Sequence, residues 1–205
     1  MEPVPSAYFT DRLSDAFDYA RALHANQPRK GTTVPYIGHL LAVTALVIEH
    51  GGDEDQAMAA LLHDAIEDQG RGGRTRDEIE AKFGQRVVRI VEGCTDADTT
   101  PKPPWRARKE AYLAHLGDAP IEVRRVAAAD KLDNARAILA DYRRLGELLW
   151  KRFNAERDDQ LWYYRSIVTA LRSGEGAGAI TDLVDELDEV VQALEAEVGG
   201  PKGTV

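Results

Sequence analysis

Four ionisable side chains stand within six residues of this sequence: His63, Asp64, Glu67 and Asp68. They follow the apolar stretch 59–62, and helical spacing places the four groups over little more than one turn. An apolar helix does not bury three acids without compensation, because an unpaired buried charge is very costly. A divalent cation compensates for them, and imidazole combined with carboxylate suits manganese, iron or zinc better than calcium. A His-Asp pair taken alone is better described as the solvated polar end of a buried helix. Together with the rest of the chain, the stretch predicts a metal site.

Two residues elsewhere in the chain extend this set. His39 begins a helix after a proline-containing loop, and Asp130 follows three alanines in a helical segment. Small side chains indicate that this helix approaches another element closely, and an acid placed there needs a partner. Taken singly, His39 reads as a helix-end histidine, and Asp130 reads as an acid paired with Lys131 or Arg136.

The composition limits the classes of function. The 205 residues, 43% hydrophobic and 30% charged, are typical of a globular chain with one ample core. The net charge of −9 argues against DNA or RNA as a partner, because no basic stripe offsets it, but it allows a small anionic substrate. No apolar run approaches a membrane span and the N-terminus lacks the apolar segment of a signal peptide, so we expect no membrane contact. The single cysteine, Cys94, excludes an internal disulfide and predicts a cytoplasmic location.

Apolar residues recur at helical spacing in nearly every segment, and no segment keeps a two-residue alternation, so the sequence predicts an all-α fold. Thr75 and Glu78 have the spacing of a capping box that opens a short helix. We expect a domain over residues 1–173, followed over 174–205 by a flexible break and an amphipathic helix that packs on it or extends from it. The predicted helices are 10–26, 37–49, 54–68, 75–84, 85–92, 105–116, one that begins near 120, pieces over 145–153, 156–172 and a last one from about 180 that ends at Gly199-Gly200-Pro201.

Five motifs carry a resemblance to a known family. They are Arg29-Lys30-Gly31, Pro35-Tyr36-Ile37-Gly38-His39, Leu61-Leu62-His63-Asp64-Ala65-Ile66-Glu67-Asp68, Phe83-Gly84 with Val91-Glu92-Gly93-Cys94-Thr95, and Ala129-Asp130-Lys131-Leu132-Asp133-Asn134-Ala135-Arg136. In these motifs and their order the chain resembles the HD-domain metal-dependent phosphohydrolases. It is most similar to the hydrolase domains of Rel/SpoT-type proteins and to the small stand-alone alarmone hydrolases. The resemblance covers about residues 15–170 and implies a helical bundle with a metal site between helices.

The resemblance also implies roles for individual residues. One divalent transition metal ion, Mn²⁺ in the first instance, would be held by His39, His63, Asp64 and Asp130. Glu67 and Asp68 would orient or deprotonate the attacking water, although acids at a helix C-terminus are otherwise simply solvated. The implied substrate contacts are Arg29, Lys30, Arg106, Lys109 and Asn134. Lys102 and Arg108 belong to the same basic stretch as Arg106 and Lys109. This stretch is equally well interpreted as a phosphate-binding surface or as a solvated basic face.

The implied activity is hydrolysis of a (p)ppGpp-type 3′-diphosphate by a stand-alone enzyme, with a homodimer as the expected assembly. One alternative is hydrolysis of another nucleotide, either a nucleoside phosphate or NADPH. A second alternative is a catalytically silent module that senses nucleotides, against which the intact Glu67 and Asp68 argue. Asp133 departs from the family pattern, which has His or Tyr there, and predicts weaker turnover of ppGpp.

Overall fold

The structure is a computed structural model that describes residues 8–96, 101, 103–174 and 176–199. The regular structure in these residues is helical, apart from one isolated antiparallel bridge between Pro28 and Pro35. The predicted all-α class is confirmed. No helix in the described ranges is long and apolar enough to cross a bilayer. The chain forms two compact units, residues 1–102 and residues 103–205, called here the N-terminal and the C-terminal unit.

The N-terminal unit is built around one helix whose second half is completely buried. Its helices are α1 (Asp11–Leu23), α2 (Ile37–Glu49), α3 (Glu54–Leu62), α4 (Ala65–Gln69), α5 (Arg74–Phe83) and α6 (Gln85–Cys94). The residues of α3 from 57 to 62 are at most 1% exposed, and α3 packs against α1, α2 and α6. Three alanines on α3 allow these close approaches, while Met58, Leu61 and Leu62 fill the space between the helices.

The C-terminal unit is organised around a long central helix. Its helices are α7 (Trp105–Asp118), α8 (Ile121–Leu145), α9 (Arg157–Arg172) and α10 (Thr181–Gly199), with 3-10 turns at Gly146–Arg152 and Ala177–Ile180. The amphipathic helix α10 packs against α8 and α9, and α7 packs against α9. The predicted division after residue 173 stays a prediction. Of the predicted loop over 95–104, residues 97–100 and Lys102 lie outside the described residues.

The predicted single helix over 54–68 is wrong. The helix α3 ends at Leu62, and α4 begins at Ala65 with Asp64 at its N-cap. The Nδ1 atom of His63 lies 2.8 Å from the carbonyl oxygen of Ala60, the group that the Asp64 N–H would use in an unbroken helix. This side-chain bond competes with the helical one, so the chain turns at His63 and Asp64, two of the predicted metal ligands.

The predicted capping box at Thr75 and Glu78 is also wrong. The helix α5 begins one residue earlier, at Arg74, after the left-handed Gly73. Thr75 is fully buried, and its hydroxyl donates to the carbonyl oxygen of Gln69. Glu78 accepts hydrogen bonds from Tyr19 (2.7 Å) and Arg71 (2.6 Å) rather than from the start of its own helix. Burial of the Thr75 hydroxyl therefore decided its partner.

Candidate functional site

Two buried histidines and one carboxylate converge in the N-terminal unit. His39 on α2 and His63 after α3 are 1% and 2% exposed, and their ring centroids lie 5.2 Å apart. The Oδ2 atom of Asp64 lies 3.1 Å from Nε2 of His63 and 3.8 Å from Nε2 of His39. The ligand nitrogens of the two histidines lie within 4.8 Å of each other. The structure thus brings together three of the four predicted metal ligands inside one unit.

The surroundings of these side chains fix their orientation. The carbonyl oxygen of Ala60 can only accept, so the His63 proton lies on Nδ1 and the lone pair lies on Nε2. The hydroxyl of Tyr36 donates to Oδ2 of Asp64, and the Tyr36 ring packs edge-on against His39 at 5.3 Å. Hydrogen bonds of this kind hold ligands in position around protein-bound metals.

The donor set fits a divalent transition metal ion. Neutral imidazole nitrogens combined with carboxylate oxygens suit manganese, iron and zinc, and a carboxylate beside two histidines supplies negative charge to balance the ion. His63 presents Nε2 on the side of Asp64, as a metal ligand must. The residues present therefore fit the ion that the sequence predicts.

The fourth predicted ligand, Asp130, lies on α8 in the C-terminal unit. It is 6% exposed, and its carboxylate accepts hydrogen bonds from Lys131, whose Nζ lies 2.5 Å away, and from the amide of Asn134. Burial opposes the charge of Lys131, but the Asp130 carboxylate outweighs this effect and holds the pKa of Lys131 well above its usual value. Asn134, a predicted substrate contact, therefore lies against a predicted metal ligand. Each carboxylate oxygen has two lone pairs, so these bonds leave room for a metal.

The two predicted catalytic acids line different cavities of the N-terminal unit. Glu67 lines a cavity of about 720 Å³ together with Arg71, Arg76 and Thr95. Asp68 lines a more open cavity of about 520 Å³ together with Gln27. The Nε2 atom of Gln27 donates to Oδ2 of Asp68 at 2.6 Å. The sequence predicts the two acids as one pair, whereas the structure gives them different neighbours.

The predicted contacts Arg29 and Lys30 lie at the tip of a narrow loop over residues 27–36. Its two sides are joined by backbone bonds from Arg29 N to Val34 O and from Tyr36 N to Gln27 O, both 2.8 Å long. Lys30 is exposed and Arg29 is half-buried. The loop thus connects two cationic side chains to Tyr36, which contacts Asp64.

The predicted contacts Arg106 and Lys109 belong to an aromatic cluster between α7 and α9. The Arg106 guanidinium lies 3.2 Å from the ring centroid of Trp162, and Nζ of Lys109 lies 4.6 Å from that of Tyr163. Arg106 also pairs with Glu110 at 2.8 Å. Through these contacts Arg106 and Lys109 can stabilise the C-terminal unit without binding a substrate. Their role in substrate binding stays a prediction.

Three residues with contacts at the site were missed by the sequence reasoning. Tyr36 belongs to the motif Pro35-Tyr36-Ile37-Gly38-His39, three residues before His39, but the motif does not indicate a role for it. Gln27 and His24 lie at the end of α1 and in the following turn, and nothing in their spacing marks them. Gln27 contacts Asp68 and Gln69, about forty positions away, and His24 acts through its contacts with Gln27 and Tyr36, so local patterns do not report either role.

Comparisons with known proteins find relatives in sequence and in structure. The sequence profile of the HD domain matches residues 16–161, more than half of the chain and a range that includes all four predicted ligands. A guanosine-3′,5′-bis(diphosphate) 3′-pyrophosphohydrolase of Xenopus tropicalis is 40% identical over 127 residues, covering 60% of this chain and 68% of that protein. The human protein of the same name is 37% identical over 128 residues, covering 61% and 68%. A longer protein with this activity name, from Aquifex aeolicus, is 33% identical over 130 residues, 62% of this chain and 18% of its own length.

Solved structures of similar proteins have the same fold. A metazoan ortholog of SpoT that hydrolyses ppGpp is 25% identical and superimposes with a TM-score of 0.71, covering 93% of this chain and 97% of that one. A protein of Listeria monocytogenes is 29% identical, with a TM-score of 0.67 over 75% of this chain and 96% of its own.

Proposed function

Because this chain belongs to the HD-domain family, we propose that it is a divalent-metal-dependent phosphohydrolase that removes the 3′-diphosphate of (p)ppGpp. The observation that carries the proposal is the convergence of Asp64 with the buried His39 and His63, where Asp64 is followed three residues later by Glu67 on α4. The substrate class is supported by relatives that are 33–40% identical and that carry this activity in their names.

We propose that the ion takes its fourth ligand from Asp130. Support comes from the order of the ligand residues along the chain and from the single HD-domain profile that spans all of them. The burial of Asp130 adds to it, because a buried acid requires compensation by charge and hydrogen bonds. The ion of choice is Mn²⁺, since hard carboxylate and borderline imidazole ligands occur together.

Individual residues would then have separate roles in the proposed hydrolysis. A divalent ion held there would polarise a phosphoryl oxygen and help to activate water. Glu67 would accept a proton from the attacking water, whose oxygen forms a bond to the phosphorus attached to the ribose 3′ oxygen. The bond from this phosphorus to the 3′ oxygen breaks, the 3′ oxygen takes up a proton, and pyrophosphate leaves. Tyr36 would hold Asp64 in place throughout, through its hydroxyl.

Further assignments have weaker support and are part of the same proposal. Arg29 and Lys30, carried by the loop over 27–36, would meet the nucleotide, and Asn134 would meet it beside Asp130. A cytoplasmic location is supported by the single Cys94, and the absence of a nucleic-acid partner by the net charge of −9. The homodimer stays a prediction.

The test combines metal analysis with a substrate screen. The purified protein should contain about one transition metal ion per chain, and His63→Ala and Asp130→Ala should each lose metal and activity together. His115→Ala, which changes an exposed histidine on α7, is the control and should keep both. Full metal occupancy in either ligand variant would overturn its assignment as a ligand.

The screen should include ppGpp, nucleoside monophosphates and NADPH, with phosphate and pyrophosphate measured separately. We expect pyrophosphate from ppGpp, with a lower kcat/KM than that of the pyrophosphohydrolase relatives, because a carboxylate at position 133 repels phosphate. Asp133→His should raise kcat/KM for ppGpp relative to the other substrates. Release of phosphate alone, from another nucleotide, would replace the proposed substrate while leaving the family membership intact.

A further inference from the structure

The side chain of Gln27 makes hydrogen bonds at both ends of its amide. Its Nε2 donates to Oδ2 of Asp68 at 2.6 Å, and its Oε1 accepts from Nε2 of Gln69 at 2.9 Å. The Nδ1 atom of His24 lies 2.8 Å from the same Oε1. An ionised carboxylate only accepts, so the amide can adopt only this orientation, with its N–H toward Asp68.

His24 contacts the oxygen of the Gln27 amide, opposite the N–H that meets Asp68. Because Oε1 of Gln27 accepts, Nδ1 of His24 carries the proton, and the ring is in one tautomer. The His24 ring is 2% exposed and stacks on Tyr36, with centroids 5.4 Å apart and planes 29° apart. The histidine is thus held in place by packing as well as by its hydrogen bond.

Backbone contacts tie Gln27 to the loop that carries Arg29 and Lys30. The carbonyl oxygen of Gln27 accepts from the N–H of Tyr36 at 2.8 Å, and this bond closes the base of the loop. Tyr36 in turn donates to Asp64. One glutamine therefore links the base of the loop to the end of α4 that bears Asp68.

Gln27 shares a cavity with one of the two predicted catalytic acids. Glu67 lines the cavity of about 720 Å³, whereas Asp68 and Gln27 line the other one, of about 520 Å³. Asp68 is exposed, and an exposed aspartate side chain has several rotamers open to it. The bond from Gln27 favours a rotamer in which Oδ2 faces the Gln27 amide.

We propose that Gln27 is a positioning residue that acts through Asp68 and is itself oriented by His24. The inference rests on the proposed phosphohydrolase function and on the predicted role of Asp68 in orienting or deprotonating the attacking water. Gln27 does not touch the reacting atoms in this view; it holds the Asp68 carboxylate and the base of the 27–36 loop in a single arrangement. Displacing a catalytic carboxylate by about 1 Å costs roughly 100-fold in rate, so the effect of losing Gln27 should be measurable.

The first arm of the experiment is kinetic and uses the metal-loaded full chain with the best nucleotide of the screen. Gln27→Leu removes all three side-chain hydrogen bonds, and Gln27→Glu keeps the shape and the acceptor but loses the N–H that meets Asp68. Both should lower kcat about 10- to 100-fold with metal content unchanged and KM altered by less than about threefold. In an Asp68→Ala background the same changes should add less than about twofold, because a residue that acts through Asp68 has no effect without it.

The matched control is Asn26→Leu. Asn26 is the preceding residue, is exposed, and lines the same cavity of about 520 Å³, but it has no hydrogen bond to Asp68 in the described part of the chain. It should leave kcat unchanged. Unchanged kcat in both Gln27 variants, or an equally large loss in the Asp68→Ala background, would overturn the proposal.

The second arm does not depend on activity. In nuclear magnetic resonance spectra the side-chain amide protons of Gln27 should exchange with solvent at least tenfold more slowly than those of Asn26, and Asp68→Ala should abolish the difference. If the wild-type chain hydrolyses no nucleotide, the proposed function fails. A protected amide that depends on Asp68 would then still support the link between the two residues, and an unprotected one would overturn it.

Discussion

At the scale of single residues, Tyr36 shows how a group outside the predicted ligand set can orient a predicted ligand. Its hydroxyl donates to Oδ2 of Asp64, the oxygen that faces both histidines. We expect Tyr36→Phe to weaken the binding of Mn²⁺ about 10- to 100-fold, because loss of such a supporting hydrogen bond usually has this effect. Titration of metal into the metal-free chain would measure it.

Tyr142→Phe is the control for this prediction, since it also removes one tyrosine hydroxyl bond, to Glu147, but in the C-terminal unit. Its metal affinity should equal that of the wild type. Equal affinities for Tyr36→Phe and the wild type would remove Tyr36 from the site.

Glu67 and Asp68 allow a second prediction at this scale. Glu67→Gln and Asp68→Asn should keep their metal but lower kcat by roughly two to four orders of magnitude, the usual effect of losing acid–base participation. Metal analysis and kcat would be measured on the same samples. If kcat in both variants stays near that of the wild type, Glu67 and Asp68 are not catalytic and are solvated acids at the end of a helix.

At the scale of elements, Glu78 shows how α5 is attached to its neighbours. It accepts hydrogen bonds from Tyr19 of α1 and from Arg71 and Arg74, and these donors lower its pKa to about 2. Burial and the bond to Glu78 raise the pKa of Tyr19 to about 12. The tyrosine and the arginines join α5 to α1 and to the turn after α4.

The low pKa of Glu78 predicts a pH dependence of stability. Because the folded pKa lies below the ordinary value of 4.5, Glu78 stabilises the fold above about pH 4.5, and the stabilisation is lost as the pH falls toward 2. The Tm difference between the wild type and Glu78→Gln should therefore be largest at neutral pH and shrink below pH 4.5. Glu49→Gln changes an exposed acid that has no ion pair among the described residues, and it should leave Tm nearly unchanged. A Tm difference for Glu78→Gln that stays constant from pH 7 to pH 2 would contradict the assignment.

At the scale of the whole molecule, the predicted ligands His39, His63 and Asp64 belong to the N-terminal unit, and the predicted ligand Asp130 belongs to the C-terminal unit. The three tryptophans, Trp105, Trp150 and Trp162, lie in the C-terminal unit, so tryptophan fluorescence reports the unfolding of that unit. Metal that binds only the folded state stabilises it by about 2.7 kcal/mol at a hundred times Kd. Added Mn²⁺ should therefore raise the Tm detected by tryptophan fluorescence.

The variants decide whether Asp130 shares in this effect. The shift should be lost both in His63→Ala, which changes the N-terminal unit, and in Asp130→Ala, which changes the C-terminal one. A full shift in Asp130→Ala would mean that the histidines and Asp64 bind the ion without it.

The sequence by itself determined the all-α class, the positions of most helices and the kinds of group that meet at His39, His63 and Asp64. These follow from local causes, namely apolar periodicity, chain breakers and ligand chemistry. The tertiary structure decided the break between α3 and α4, because the His63 ring competes for the Ala60 carbonyl. It also decided the partners of Thr75 and Glu78 and the contact of Gln27 with Asp68, 41 positions away. Such bonds depend on which polar groups are buried side by side, and only the packed helices settle that.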